Sequence, residues 1–91
     1  MKLRILTPAR AVVETEVTQV TLPGAAGQLT PMQGHDLLLT PLIAGRLYFS
    51  AVDAEGKVER QDYTIGAGVA EVLKDAVTIF TMSAEKPVTP S

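Results

Sequence analysis

Residues 21–42 read TLPGAAGQLTPMQGHDLLLTPL, and this stretch decides how the chain folds. Pro23, Gly24, Gly27, Pro31 and Gly34 break it at intervals too short for a helix. The apolar run that follows, Leu37, Leu38 and Leu39, is cut by Thr40-Pro41. The stretch is also nearly free of charge. From Val17 to Gly45 the one formally charged residue is Asp36, in a chain that is 20% charged. A surface loop normally carries charge. A turn-rich segment that avoids it is packed inside the domain or turned toward a partner.

Outward from this stretch, the pattern is of short strands. Residues 2–7 alternate, with Leu3 and Ile5 on one face, and Thr7-Pro8 ends the run. Residues 11–13 form a brief second strand, and Glu14, Thr15 and Glu16 a polar corner. Val17, Val20 and Leu22 are the buried candidates of the next strand. Their change of parity predicts a bulge near Gln19. Residues 28–30 fit a short strand. Residues 36–40 read as an extended segment buried on both sides. Residues 46–52 and 57–65 flank the hairpin turn Asp53-Ala54-Glu55-Gly56, the second of them with one wet face. Gly66-Ala67-Gly68 calls for a bulge or a close backbone approach. Residues 69–73 and 76–80 are strands about a tight Lys74-Asp75 turn.

The expectation is an all-β chain: a small two-sheet antiparallel β-sandwich of about ten short strands, spanning residues 1–84, with an irregular tail at 85–91. At 91 residues one core is possible, and stability of about 5–14 kcal/mol is ordinary for this length. The absence of cysteine removes disulfides and thiolate metal sites. A net charge of −2 argues against nucleic acid as a partner. Lys2 and Arg4 are not followed by the apolar core of a secretory leader. No window of apolar residues is long enough for a spanning helix, so direct membrane insertion is not expected. With 46% hydrophobic residues and few aromatics, the chain is apolar for its size, which hints at a face kept for a partner.

No catalytic constellation emerges, and no cofactor is expected. His35 is the one histidine; with no cysteine and only Asp36 beside it, it lacks the company a metal site needs. Nothing marks Thr30 or Thr40 as an activated hydroxyl. His35 fits a turn-capping imidazole or a partner contact, and the two are compatible. Gly66-x-Gly68 lacks the third glycine and the helix of a dinucleotide fingerprint. Glu14 and Glu16 read as a solvated corner, and Tyr48 and Tyr63 as sheet packing. What remains is the profile of an interaction module, whose interface core is depleted in charge.

The order of several weak motifs is more specific. It runs Ile5-x-Thr7-Pro8, Val17-x-x-Val20-x-x-Pro23-Gly24-x-x-Gly27, Gly34-His35-x-x-Leu38-Leu39-Thr40-x-Leu42-x-x-Gly45, then Ile65-Gly66-x-Gly68-x-Ala70-Glu71-Val72 and Val77-Thr78. Over nearly its whole length the chain resembles the N-terminal β-sandwich of the epsilon subunit family of F-type ATP synthase. The resemblance implies a ten-stranded sandwich in the central stalk of the rotor, without catalytic residues. It implies two partners: the gamma subunit along one side, and the c-ring of the membrane sector at the bottom loops. The expected location is peripheral, at the cytoplasmic face of the bacterial inner membrane.

Carried over by position, the resemblance places Thr7, His35 and Thr40 near gamma. It places Gln28, Leu29, Thr30, Pro31 and Met32 toward the c-ring. The chain departs from the family pattern at Gln28, where relatives often carry Glu, at Thr30-Pro31-Met32, and at Asp36-Leu37 after the histidine. Relatives usually continue into a C-terminal helical pair that regulates ATP hydrolysis, so the expectation is a short form without it. A stand-alone β-sandwich interaction module is the alternative.

Overall fold

The computed structural model describes residues 1–34 and 36–86. Nine strands account for its regular structure: β1 (Lys2–Leu6), β2 (Ala11–Gly24), β3 (Gly27–Leu29), β4 (Leu38–Leu42), β5 (Gly45–Val52), β6 (Val58–Ile65), β7 (Gly68–Val72), β8 (Ala76–Thr81) and β9 (Ala84–Glu85). The all-β expectation holds. Glu85, expected in the tail, is the second residue of β9, and residues 87–91 lie outside the described residues.

The strands follow the order β1-β8-β7-β4-β2-β5-β6-β9, with β3 attached to β2 and β1 also paired to β2. Strand β2 makes two layers out of this order. Its first part pairs antiparallel with β1, from Lys2↔Glu16 to Leu6↔Ala11. Its middle pairs with β5, and its end with β3 and β4. The residues expected to form a polar corner therefore continue the strand. Glu14 and Glu16 lie opposite Arg4 and Lys2, where opposite charges across the ladder favour pairing. The expected bulge is present: the register with β5 shifts between Val17 and Gln19. One extra residue moves the inward positions from Val17 to Val20 and Leu22, so the same strand can leave one layer for the other.

One pairing departs from the antiparallel expectation. β1 and β8 run parallel, with Leu3↔Val77 and Ile5↔Ile79. All four side chains are fully buried, so the pair contributes one continuous inner row. The core joins these to Val20, Leu22, Leu47, Phe49, Ile65, Ala70 and Val72. Phe49 and Tyr63 stack at 5.9 Å between centroids, which confirms Tyr63 as a packing residue.

The turns follow from their residues. Asp53 closes the β5–β6 hairpin by accepting the backbone N–H of Glu55 at 2.9 Å and of Lys57 at 2.8 Å. Gly27 ends the β2–β3 turn with φ of 126°, a conformation side chains rarely adopt. The Gly66–Gly68 corner is a close approach, as expected. A Cβ on Gly68 would run into the carbonyl oxygen of Phe80 and lie 2.9 Å from Thr81 Cα. Thr81 holds that corner by donating its hydroxyl to the Gly66 carbonyl at 2.8 Å.

Residues 36–40 are the main correction. They are not buried on both sides. Leu38 and Leu42 turn inward, while Leu37 and Leu39 are exposed. Pro41 lies inside β4 without breaking it. Its carbonyl accepts from Ala25, on the side away from β7, so its missing N–H costs the β4–β7 ladder nothing.

Candidate interaction surface

The two outer faces of the fold differ sharply in chemistry. The outer side of β5 and β6 is polar. Arg46 pairs with Asp62 at 2.6 Å, Arg60 reaches Asp62 at 3.7 Å, and the Arg60 guanidinium lies 4.3 Å from the centre of the Tyr48 ring. Hydroxyls of Thr21 and Thr30 meet beside them at 3.0 Å.

The outer side of β1, β8, β7 and β4 is apolar. Register places Leu6, Phe80, Val69 and Pro41 in one row across the four strands. The next row carries Arg4, Thr78, Glu71 and Leu39. Leu39 is 63% exposed, and Val69, Leu73 and Phe80 are also among the exposed large side chains. At the Leu6 end the row runs into a groove of about 450 Å³ lined by Thr7, Ala67, Phe80 and Met82, of which Met82 is 74% exposed. Contiguous apolar surface of this kind marks an interaction site more often than an accident of packing.

The expected site residues distribute unevenly around this face. Thr7 stands at the rim of the groove, but its hydroxyl is already used. It donates to the Arg10 carbonyl at 3.1 Å and accepts from the Arg10 N–H at 3.3 Å. Thr40 is half-buried on the inward side of β4, opposite Ala70. The two threonines are three strands apart, roughly 14 Å at ordinary strand spacing, near opposite ends of the apolar row. His35 lies outside the described residues. Of the five residues placed toward the c-ring, Gln28 is exposed and Met32 is 71% exposed. Leu29 and Thr30 are half-buried, and Pro31 is buried. Gln28 and Leu29 belong to β3, paired with Pro23 and Leu22, so the segment is partly strand.

Sequence reasoning missed most of the apolar row. Phe80 and Val69 are outward neighbours of buried Ile79 and Ala70, and a strand that is apolar on both faces shows no alternation to read. The signal that was available is the overall excess of apolar residues. Among the described residues, no three histidine or acidic side chains converge where a metal ion could be held. Among the described residues there is no helix long and apolar enough to cross a membrane.

The sequence matches the family model for the ATP synthase Delta/Epsilon chain beta-sandwich domain over residues 1–87. The chain belongs to this family. The ATP synthase epsilon chain of Desulforapulum autotrophicum is 40% identical over 84 residues, covering 92% of this chain and 59% of that one. The epsilon chain of Lawsonia intracellularis is 35% identical over 88 residues, covering 94% of this chain and 61% of that one. The chain thus spans about three fifths of the length of the curated relatives it matches. Among solved structures, a chain of the Euglena gracilis mitochondrial ATP synthase, in an assembly of OSCP, F1 and c-ring, superposes with a TM-score of 0.78 at 24% identity. It covers 92% of this chain and 51% of that one. A chain of the Tetrahymena thermophila central stalk and c-ring gives 0.76 at 16% identity, covering 94% and 66%. At these identities the two structures establish the fold, and the family rests on the sequence matches.

Proposed function

We propose that residues 1–86 act as a non-catalytic subunit in the rotor of an F-type ATP synthase, joining gamma to the c-ring and so helping to couple ion flow to ATP synthesis. The observation that carries this reading is the apolar row Leu6–Phe80–Val69–Pro41, exposed at all but the half-buried Leu6, on a chain of this family. A side of the sandwich that remains apolar in water fits permanent attachment to another subunit better than transient contact. On this reading gamma covers that side, with Thr7 at its rim; Thr40, on the inward side of β4, and His35 are assigned to the gamma contact by the family resemblance alone. Gln28 and Met32, the exposed members of the 28–32 segment, face the c-ring. The chain then sits peripherally, at the cytoplasmic face of a bacterial inner membrane. The regulatory helices of longer relatives play no part in this reading of residues 1–86.

Co-expression with the cognate gamma subunit tests the proposal. A stoichiometric complex that survives purification, and that further captures the cognate c-ring, is the expected result. If the chain purifies free of gamma, the rotor reading falls and the stand-alone interaction module takes its place.

A further inference from the structure

The apolar face contains one carboxylate that the docking reading does not use. Glu71 lies in the middle of β7, and because its neighbours Ala70 and Val72 are fully buried, it stands on the outward face. Leu39 of β4 faces it across one ladder and Thr78 of β8 across the other. Two residues away along its own strand direction are Val69 and Leu73, both exposed. Among the described residues the Glu71 carboxylate has no hydrogen-bond or ion-pair partner, its ladder contacts being made by the backbone. The cation of its row is Arg4, beyond Thr78, and that guanidinium lies 3.9 Å from Glu14. Lys2 also pairs with Glu14, at 3.3 Å. The charges at the β1 rim therefore serve each other, and Glu71 stands alone.

In the free chain this arrangement costs little, because a half-exposed carboxylate keeps its water. A partner that covers the apolar row removes that water. A carboxylate so enclosed must be paired with a cation or lose its charge. The face therefore specifies its occupant in more detail than apolarity alone. It fits a surface of apolar side chains carrying one basic group opposite β7.

We propose that Glu71 receives a single lysine or arginine side chain of the docked subunit, and that this pair sets which partner surface fits the face. The inference rests on the docking reading above. A partner with an apolar residue at that point leaves a buried unpaired carboxylate, and one with an acidic residue adds repulsion; both are rejected.

The test measures the affinity of the full chain for its cognate gamma subunit. The variants are Glu71→Gln, which keeps the size, and Glu71→Thr, a strand-compatible second neutral residue. Glu71→Lys reverses the charge, and Leu39→Ala reports the apolar contact independently. Thermal unfolding of each free variant checks the fold. The neutral variants are expected to bind on the order of 30- to 100-fold more weakly. Glu71→Lys is expected to bind more weakly still and to be rescued by one basic-to-acidic reversal on gamma. If the neutral variants bind as tightly as the parent or more tightly while Leu39→Ala binds weakly, the docking reading stands and the role of Glu71 is overturned. A screen of gamma's basic residues in which no reversal rescues Glu71→Lys overturns the pair as well. If neither Leu39→Ala nor the neutral variants change the affinity, this face is not the docking surface and both proposals fall.

Discussion

Leu39 and Leu42 lie three residues apart on β4 and face opposite ways, so truncating each should separate docking from folding. Leu42 is 3% exposed and packs in the core, while Leu39 is 63% exposed on the outer face. Leu42→Ala removes buried methyl groups and leaves a cavity, at a cost of about 2–5 kcal/mol. In a domain of this size that corresponds to a fall in Tm of roughly 10–30 °C. Leu39→Ala removes a side chain of which only about a third is covered. With about 1.5–3 kcal/mol for complete burial of a leucine, the loss to folding is below about 1 kcal/mol. The remaining two thirds is what a partner would cover, worth about 1–2 kcal/mol, or roughly a 5- to 30-fold loss of affinity for gamma. Thermal unfolding of the free chain and titration with purified gamma read the two effects separately. If Leu39→Ala lowers Tm as much as Leu42→Ala does, the assignment of the faces is wrong. If it leaves the affinity unchanged, the apolar row is not the docking surface.

Three further outcomes follow from single contacts. Gly68→Ala drives a Cβ into the Phe80 carbonyl and against Thr81 Cα, so the β7–β8 pair must open; urea unfolding should show a loss of at least about 3 kcal/mol or no folded state. Thr81→Val keeps the shape but leaves the Gly66 carbonyl without its short hydroxyl donor, and should cost about 1–2 kcal/mol in the same assay, with a wild-type Tm refuting the role of the hydroxyl. Gln28→Glu places a charge at an exposed position of β3, and should tighten coupling in a reconstituted enzyme whose facing c-ring loop is basic; ion pumping per ATP hydrolysed checks this, and unchanged or looser coupling counts against the contact.

The parts of the fold legible in the sequence were those governed by local pattern. Leu3 and Ile5, Leu47 and Phe49, and Val77 and Ile79 all alternate, and all turn inward as their spacing requires. The bulge near Gln19 was readable because Val17, Val20 and Leu22 change parity. What escaped was set by pairing between distant segments. Glu14, Thr15 and Glu16 look like a corner until Lys2 and Arg4 are seen across the ladder. The parallel approach of β1 to β8 has no local signature, and β9, with two residues, is too short to have one. At the candidate site, charge depletion was readable but its cause was not. Between Val17 and Gly24 it reflects burial, whereas between Leu37 and Ile43 it coincides with exposed leucine and isoleucine. Both causes write the same uncharged text. Thr7 shows the same limit, since residue type alone does not reveal that its hydroxyl is spent on Arg10.

An apolar face invites aggregation when an open strand edge runs beside it, and the pairing here keeps the two largely apart. β1 is bonded on both sides, to β2 and β8, and β7 and β8 lie inside the sheet. β4 has the exposed Leu39, and the end of its outer edge is tied back to β2 where Ala25 donates to the Pro41 carbonyl and Ile43 to the Pro23 carbonyl. Pro41 itself offers no donor there. The long open edge belongs to β6, which β9 covers only at Thr64 and Ile65. That edge carries Glu59, Arg60 and Asp62 and adjoins the polar outer face. A partner therefore meets apolar side chains without a row of free backbone groups next to them. This geometry suits a preformed surface laid across four strands and disfavours an added strand, which is the form that docking against a rotor subunit would take.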